Sequence, residues 1–348
     1  MTNLKYLTAY SIPTVAFIGI SLEGVYTFLT PVFVFIIIPF MELLLPTNPN
    51  NLSPDERLAK LKNKIFDWLL YLNIPIVYGI LTYSLYIIIT QNLHLYELIG
   101  LIFTTGIVLG SNGINVAHEL GHRKTKVERA LAKILLLPSL YMHFYIEHNY
   151  GHHLNAATNE DPATAKFNQT VYSFWFTSVF KQYFNAWLIQ QNLLKRNHLP
   201  FISLQNDMLW YSVLQFLYLL SIYTFFGGFA VLFVVSFAIV GFTLLETINY
   251  IEHYGLLRKK LPSGRYERVR EIHSWNSNHI MGRIILYELT RHSDHHYKSA
   301  KKYQILDYHD ISPQMPFGYP TSMVLSLIPP LWFFIMNKRI PQEMKEAH

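Results

Sequence analysis

Four groups of histidine stand out by residue type and spacing. They are His118-Glu-Leu-Gly-His122, Glu147-His148-Asn-Tyr-Gly-His152-His153, Asn249-Tyr-Ile-Glu-His253-Tyr-Gly255 and His292-Ser-Asp-His295-His296. Residues four apart share one face of a helix, so His118 and His122 are set to grip one metal ion. In the second group, His148 and His152 are expected to share a face, with His153 pointing to the side. His292, His295 and His296 repeat the pattern at i, i+3 and i+4, and His253 adds one more imidazole. Nine ligands are too many for one ion, since zinc takes about four and keeps one position open when catalytic. Two ions sharing nine imidazoles would each hold roughly four or five protein ligands, with room for dioxygen. Imidazole suits iron, copper and zinc alike, so ligand type leaves the metal open.

Ligating imidazoles are commonly oriented by carboxylates behind them. Glu119, Glu147, Asp161, Glu252 and Asp294 are placed for that role, although each also reads as a surface or capping carboxylate. His143, one turn before Glu147, is a further candidate behind the ligands. His273 and His279 read either as hydrogen-bond partners of ligands or as part of a partner surface, and His94, His198, His309 and His348 as surface residues. Two other functions fit parts of the pattern. His118-Glu119-Leu-Gly-His122 matches the zinc metalloprotease motif with Glu119 as general base, but explains only two of the nine histidines. A metal transporter would place its ligands near the bilayer midplane on broken helices, whereas these groups sit at the ends of apolar segments.

The elements that must carry these groups are membrane helices. The chain has 348 residues, 51% hydrophobic and 14% charged, against roughly a quarter charged in a soluble domain. A spanning helix needs about 20 apolar residues, and six segments qualify: about 6–22, 25–45, 67–90, 97–117, 208–226 and 228–250. Pro13, Pro31, Pro39 and Pro75 are tolerated in packed membrane helices. Gly227 and Gly228 alone separate the last two spans, which predicts a tight helical hairpin. The N-terminus has one early lysine, Lys5, and no convincing cleavage site, so the first span is expected to be retained. No Lys or Arg occurs between Lys5 and Arg57, between Lys64 and Arg123, or between Arg196 and Arg258. The positive-inside rule therefore places both termini, the 46–65 loop, 118–207 and 251–348 in the cytoplasm. Within those segments, the apolar run 131–146 is expected to form a re-entrant or interfacial helix, and 320–336 to lie at the interface. The fold class read from this pattern is an all-α integral membrane protein, a single domain over 1–348. Six transmembrane helices would carry a cytoplasmic, histidine-rich di-metal cap built from 118–207 and 251–348.

Cysteine is absent. Disulfides, cysteine nucleophiles, thiolate zinc sites and cysteine-ligated iron centres are thereby excluded, and any electrons must come from another protein. The +6 net charge, concentrated on the cytoplasmic side, suits an acidic protein partner.

At these motifs the sequence resembles the membrane alkane 1-monooxygenase (alkane ω-hydroxylase) family, within the histidine-box superfamily of membrane fatty-acid desaturases and hydroxylases. The resemblance rests on 118–123, 144–153, 249–258 and 291–296, with Asp161-Pro-Ala-Thr164, 264–267 and 273–279 also similar. The stretch around His253 is similar to the alkane hydroxylase signature and falls outside the usual desaturase set. Departures are Arg123 where lysine is common, Tyr150 where a charge is frequent, and Thr290 where glutamine is usual; none is a proposed ligand. The resemblance implies two iron ions and terminal hydroxylation of medium- or long-chain n-alkanes entering from the bilayer. It also implies O2 as co-substrate and two electrons from a separate rubredoxin, reduced by an NAD(P)H-dependent rubredoxin reductase. Haem, bound flavin, bound NAD and nucleic acid are not expected. The implied location is the bacterial cytoplasmic (inner) membrane, multi-pass. Chain-length preference and oligomeric state stay open.

Overall fold

The computed structural model describes residues 4–345, and His348 lies outside them. Among the described residues there are helices and a few isolated bridges, but no strands. The main helices are α1 (Ser11–Leu22), α2 (Gly24–Leu44), α3 (Ile65–Thr90), α4 (Leu95–Gly121), α5 (Lys126–Leu136), α6 (144–155), α7 (Val171–Arg196), α8 (Asp207–His253), α9 (His292–Tyr297), α10 (Tyr319–Ser326) and α11 (Pro329–Met336). Four of them, α2, α3, α4 and α8, are long and apolar enough to cross a membrane. The chain is a membrane protein.

Those four cover the predicted spans 25–45, 67–90 and 97–117 and, in α8, both 208–226 and 228–250. The predicted first span is a 3₁₀ stretch, Leu4–Tyr10, running into α1, whose 12 residues extend only about 18 Å. The predicted interfacial run 131–146 is divided: α5 ends before Pro138, turns at Leu140 with φ 50°, and the chain re-enters a helix at Phe144. The 26-residue α7 was not foreseen, because its apolar residues alternate with Lys181, Gln182, Asn185 and Gln190 and form no continuous run.

Two compact units are present, each drawn from three stretches of chain: residues up to Ile38, Asn63–Tyr145 and Gln190–Leu245 in the first, and Pro39–Lys62, Ile146–Ile189 and Glu246 onward in the second. In the first unit, small and polar residues let apolar helices meet, as expected where burial supplies no driving force between lipid-exposed helices. Asn112 donates to Asn73 Oδ1 at 2.8 Å, Ser84 and Thr105 share a hydrogen bond of 2.7 Å, and Thr104 donates to the Thr27 carbonyl. Glu97 accepts from the backbone N–H groups of Gly24 and His94.

The 47-residue α8 folds back on itself. Gln215 accepts from the Met142 amide at 3.4 Å, while the Phe242 ring stacks on Tyr141 with centroids 5.0 Å apart. In a straight helix, Gln215 and Phe242 would lie about 40 Å apart, so adjacent residues of the 141–142 turn could not touch both. The break is Gly227, with φ 83° and ψ 171°, a conformation glycine adopts without penalty. The predicted hairpin is thus formed. Its second arm packs closely on α4: a Cβ on Gly106 would collide with the Val240 side chain and stand 3.0 Å from the Phe237 carbonyl oxygen.

In the second unit, three arginines hold irregular backbone. Arg291 donates to the carbonyls of Leu306 (2.7 Å) and Asn50 (2.8 Å), Arg283 to the carbonyl of Asn48, and Arg57 pairs with both oxygens of Asp307 at 2.7 and 2.8 Å. Arg291 immediately precedes the His292–Tyr297 helix, so this strapping fixes where α9 begins.

Gly106→Leu overfills the α4–α8 contact and is expected to destabilise the protein by about 1–3 kcal/mol. The readout is a lowered thermal midpoint in detergent; an unchanged midpoint would show that the helices do not meet there.

Candidate metal centre

The third histidine group builds one cluster with parts of the second and fourth. His152, His253, His292 and His296 each offer a ring nitrogen, all within 4.8 Å of one another and all buried. His253 comes from the end of α8, His292 and His296 from successive turns of α9, and His152 from α6. The Nε2 atoms of His152 and His296 are 3.2 Å apart, and those of His296 and His292 are 2.9 Å apart. A second group in the same unit joins His148, His153 and His295, also within 4.8 Å, with the Nε2 atoms of His148 and His153 at 3.0 Å. In the other unit, His118 and His122 stand one turn apart at the end of α4, ring centroids 4.9 Å apart.

The partition of the second group departs from the sequence expectation. His148 does not pair with His152. Residues His148–His152 form a π-helical turn, in which the His153 amide donates to the His148 carbonyl. A π turn brings i and i+5 together where an α turn brings i and i+4. His148 therefore faces His153, and His152 swings to the other cluster. Gly151 permits the tight packing, since a Cβ there would stand 2.8 Å from Ile189 Cδ1 and 2.9 Å from Glu147 Oε1. In α9, the i, i+4 pair His292/His296 joins one cluster and His295 the other.

Carboxylates behind the rings are disposed unequally. Asp161 Oδ2 lies 2.9 Å from His152 Nδ1 and accepts from the Thr164 hydroxyl at 2.6 Å. Burial works against charge on both groups, but their mutual attraction wins: His152 is held above its ordinary pKa, and Asp161 below its own. With Nδ1 turned to Asp161, His152 presents Nε2 to the cluster. Glu252 Oε2 lies 3.1 Å from His292 Nε2, and its other oxygen accepts from the Tyr319 hydroxyl at 2.8 Å. Glu147 is wholly buried and accepts from Asn185 at 3.2 Å; burial first, then Asp161, pushes its pKa up to about 8. Glu119 pairs with Arg123 at 2.8 Å, and Arg123 also reaches Asp67 at 3.2 Å. The Glu119 carboxylate is thus turned to Arg123, which weighs against the metalloprotease alternative. Asp294 is bound by Lys301, His309 and the Asp307 amide.

The remaining histidines mostly stand apart from the rings. His143 lies against Tyr141 at 4.2 Å, and burial lowers its pKa to about 3. His273 accepts from the Arg270 amide at 2.9 Å, and His279 contacts Ser277 at 2.9 Å. His94 precedes α4 and stacks on Tyr96, and His198 is exposed. His309 is more than a surface residue, because its Nε2 holds Asp294 at 2.9 Å. Tyr319, Asn185 and Lys301 carry no sequence signal, whereas Asp161 and Glu252, both expected behind the rings, lie beside His152 and His292.

These residues fit a metal ion. Three Nε2 atoms meet at His296 in a buried space, and imidazole nitrogens facing one another there cannot all be satisfied by protons. Burial, reinforced by the surrounding histidines, keeps His296 neutral, the form that ligates. A cation bound at about 2.0–2.1 Å would space neighbouring nitrogens by about 2.8–3.4 Å, a range that holds the 2.9 and 3.2 Å found.

A helical membrane bundle carrying buried clusters of this kind defines a histidine-box membrane oxidoreductase, and the Fatty acid desaturase family profile matches residues 94–324. Similar proteins include alkane 1-monooxygenase 1 of Pseudomonas aeruginosa, 38% identical over 88% of this chain and 81% of its own length. Alkane 1-monooxygenase 2 of Alcanivorax borkumensis is 35% identical over 98% of this chain and 91% of its own. The hydroxylase component XylM of the xylene/toluene monooxygenase of Pseudomonas putida is 29% identical over 77% and 72%. The chain belongs to the alkane 1-monooxygenase family.

Asp161→Asn removes the charge that orients His152. Metal affinity is expected to fall about 10–100-fold with helical content retained, measured as metal kept through graded chelation; unchanged retention would remove Asp161 from its role.

Proposed function

We propose that the chain hydroxylates the terminal carbon of medium- or long-chain n-alkanes. The overall reaction is RH + O2 + 2e⁻ + 2H⁺ → ROH + H2O. The observation that carries this reading is the convergence of seven imidazoles from α6, α8 and α9 at two adjacent points of one unit. Following the family resemblance, we assign all nine histidines, His118 and His122 included, as ligands of two iron ions. The bound irons supply the activation of O2 that no side chain can. Asp161 sets the direction of His152, Tyr319 steadies Glu252 beside His292, and burial of the rings keeps water from the reacting carbon.

The finer topology belongs to the same reading. Residues 4–22 taken together and the two arms of α8 bring the spans to six. We read both termini and the histidines as lying on the cytoplasmic side of the bacterial inner membrane, a reading that the distribution of Lys and Arg supports. Alkane enters from the bilayer, and the basic face receives an acidic rubredoxin, itself reduced by its reductase.

Purified protein is expected to hold two irons per chain and to convert octane or hexadecane to the 1-alkanol with rubredoxin, its reductase and NAD(P)H. Zinc in place of iron, or no alkanol, would end the proposal. His148→Ala and His295→Ala are each expected to abolish turnover while membrane insertion is unchanged; activity retained in either removes that residue from the ligand set.

A further inference from the structure

The geometry points to residues 171–188 of α7 as a lipid-contacting surface, whose aromatic stripe takes the acyl chains and headgroup boundary of an anionic membrane. The polarity of this helix is inverted relative to a water-facing one. Its exposed side carries Tyr172, Phe176, Phe180, Phe184 and Leu188, spaced four apart and 50%, 71%, 53%, 63% and 58% exposed. Its inward side carries Ser178 and Gln182, both fully buried. Ser178 and Gln182 donate to Glu246 Oε2 at 2.6 and 2.8 Å, and Asn185 donates to Glu147. A helix lying against water turns its polar side outward; this one turns polar groups toward protein and phenyl rings away from it. A continuous exposed apolar stripe of this kind marks a membrane or protein contact.

Charge selects the membrane. No Asp or Glu occurs between Asp161 and Asp207, whereas Lys166, Lys181, Lys195 and Arg196 do. Lys181 is exposed and sits between Phe180 and Phe184 in the stripe. A second copy of the helix would bury that ammonium against another helix that carries Lys181 and no acid of its own, the nearby carboxylates being Glu160 and Asp161 across the adjoining groove. A bilayer lets the lysine stem lie along the acyl boundary while its charge reaches an anionic headgroup. The polar tips nearby are already used: Tyr172 donates to the Leu327 carbonyl and Trp175 to the Thr247 hydroxyl. The stripe therefore has only hydrocarbon to offer. Because α7 is not among the four helices apolar enough to cross a membrane, it lies along the surface.

The chain has no cysteine, so a single introduced thiol labels one position. Phe176→Cys, Phe180→Cys, Phe184→Cys and Lys195→Cys would each carry a nitroxide, with the whole protein in vesicles of phosphatidylcholine and phosphatidylglycerol. Labels at 176, 180 and 184 are expected to collide more with dissolved oxygen than with a water-soluble nickel chelate, and the label at 195 the reverse. Preference for the chelate at 176, 180 and 184 would overturn the assignment to lipid. So would exclusion of both reagents with spin–spin broadening between chains, which would mean that a second copy covers the stripe. The readout involves neither metal nor turnover, so it stands or falls apart from the enzymatic reading.

Discussion

The structure depends on one demanding condition: ring nitrogens from distant parts of the chain must point at each other in a space closed to solvent. Neutral imidazoles do not gather this way for their own sake, because each lone pair brought inside without a donor costs free energy. The second unit accepts the arrangement because its backbone is held from outside the rings. Arg291 and Arg283 hold the carbonyls of the 48–50 stretch, Arg57 and Lys301 converge on Asp307, and Lys301 also reaches Asp294. Charge placed around the periphery keeps α9 fixed while the interior carries groups that repel one another's company until a cation joins them.

The first unit answers a different requirement. Its helices expose phenylalanine, leucine and isoleucine outward and meet through glycine, serine, threonine and asparagine. Gly106 and Gly110 on α4 lie against Phe237, Val240, Gly241 and Leu244 of α8. In lipid, close backbone approach and interhelical hydrogen bonds replace the driving force that burial gives in water. The distribution of glycine along α4 is therefore a packing statement, while the single glycine at position 227 is a conformational one.

Much of this was legible in the sequence, and unevenly so. Three long apolar helices and the hairpin at Gly227 follow from hydropathy and one residue type. The histidine groups follow from spacing, and all seven in the second unit lie in clusters. How they divide was not legible, because His148-Asn-Tyr-Gly-His152-His153 is compatible with either an α or a π turn, and spacing alone does not choose between them. Asp161 could be foreseen from its neighbourhood, whereas Tyr319 is 67 residues from the Glu252 it steadies. Asp294 looked like a partner of imidazoles because it stands among them, yet its carboxylate turns to Lys301 and His309. The α7 helix escaped notice because inverted polarity resembles no standard periodic pattern when burial is unknown.

The π turn has a further consequence. His152 and His153 are consecutive residues serving different clusters, and so are His295 and His296. The two centres are thus joined by single peptide links, twice over, with no slack between them. An ion held at either centre would therefore rest on backbone that the other centre shares, so fixing one set of rings would also fix the residues beside them that serve the other.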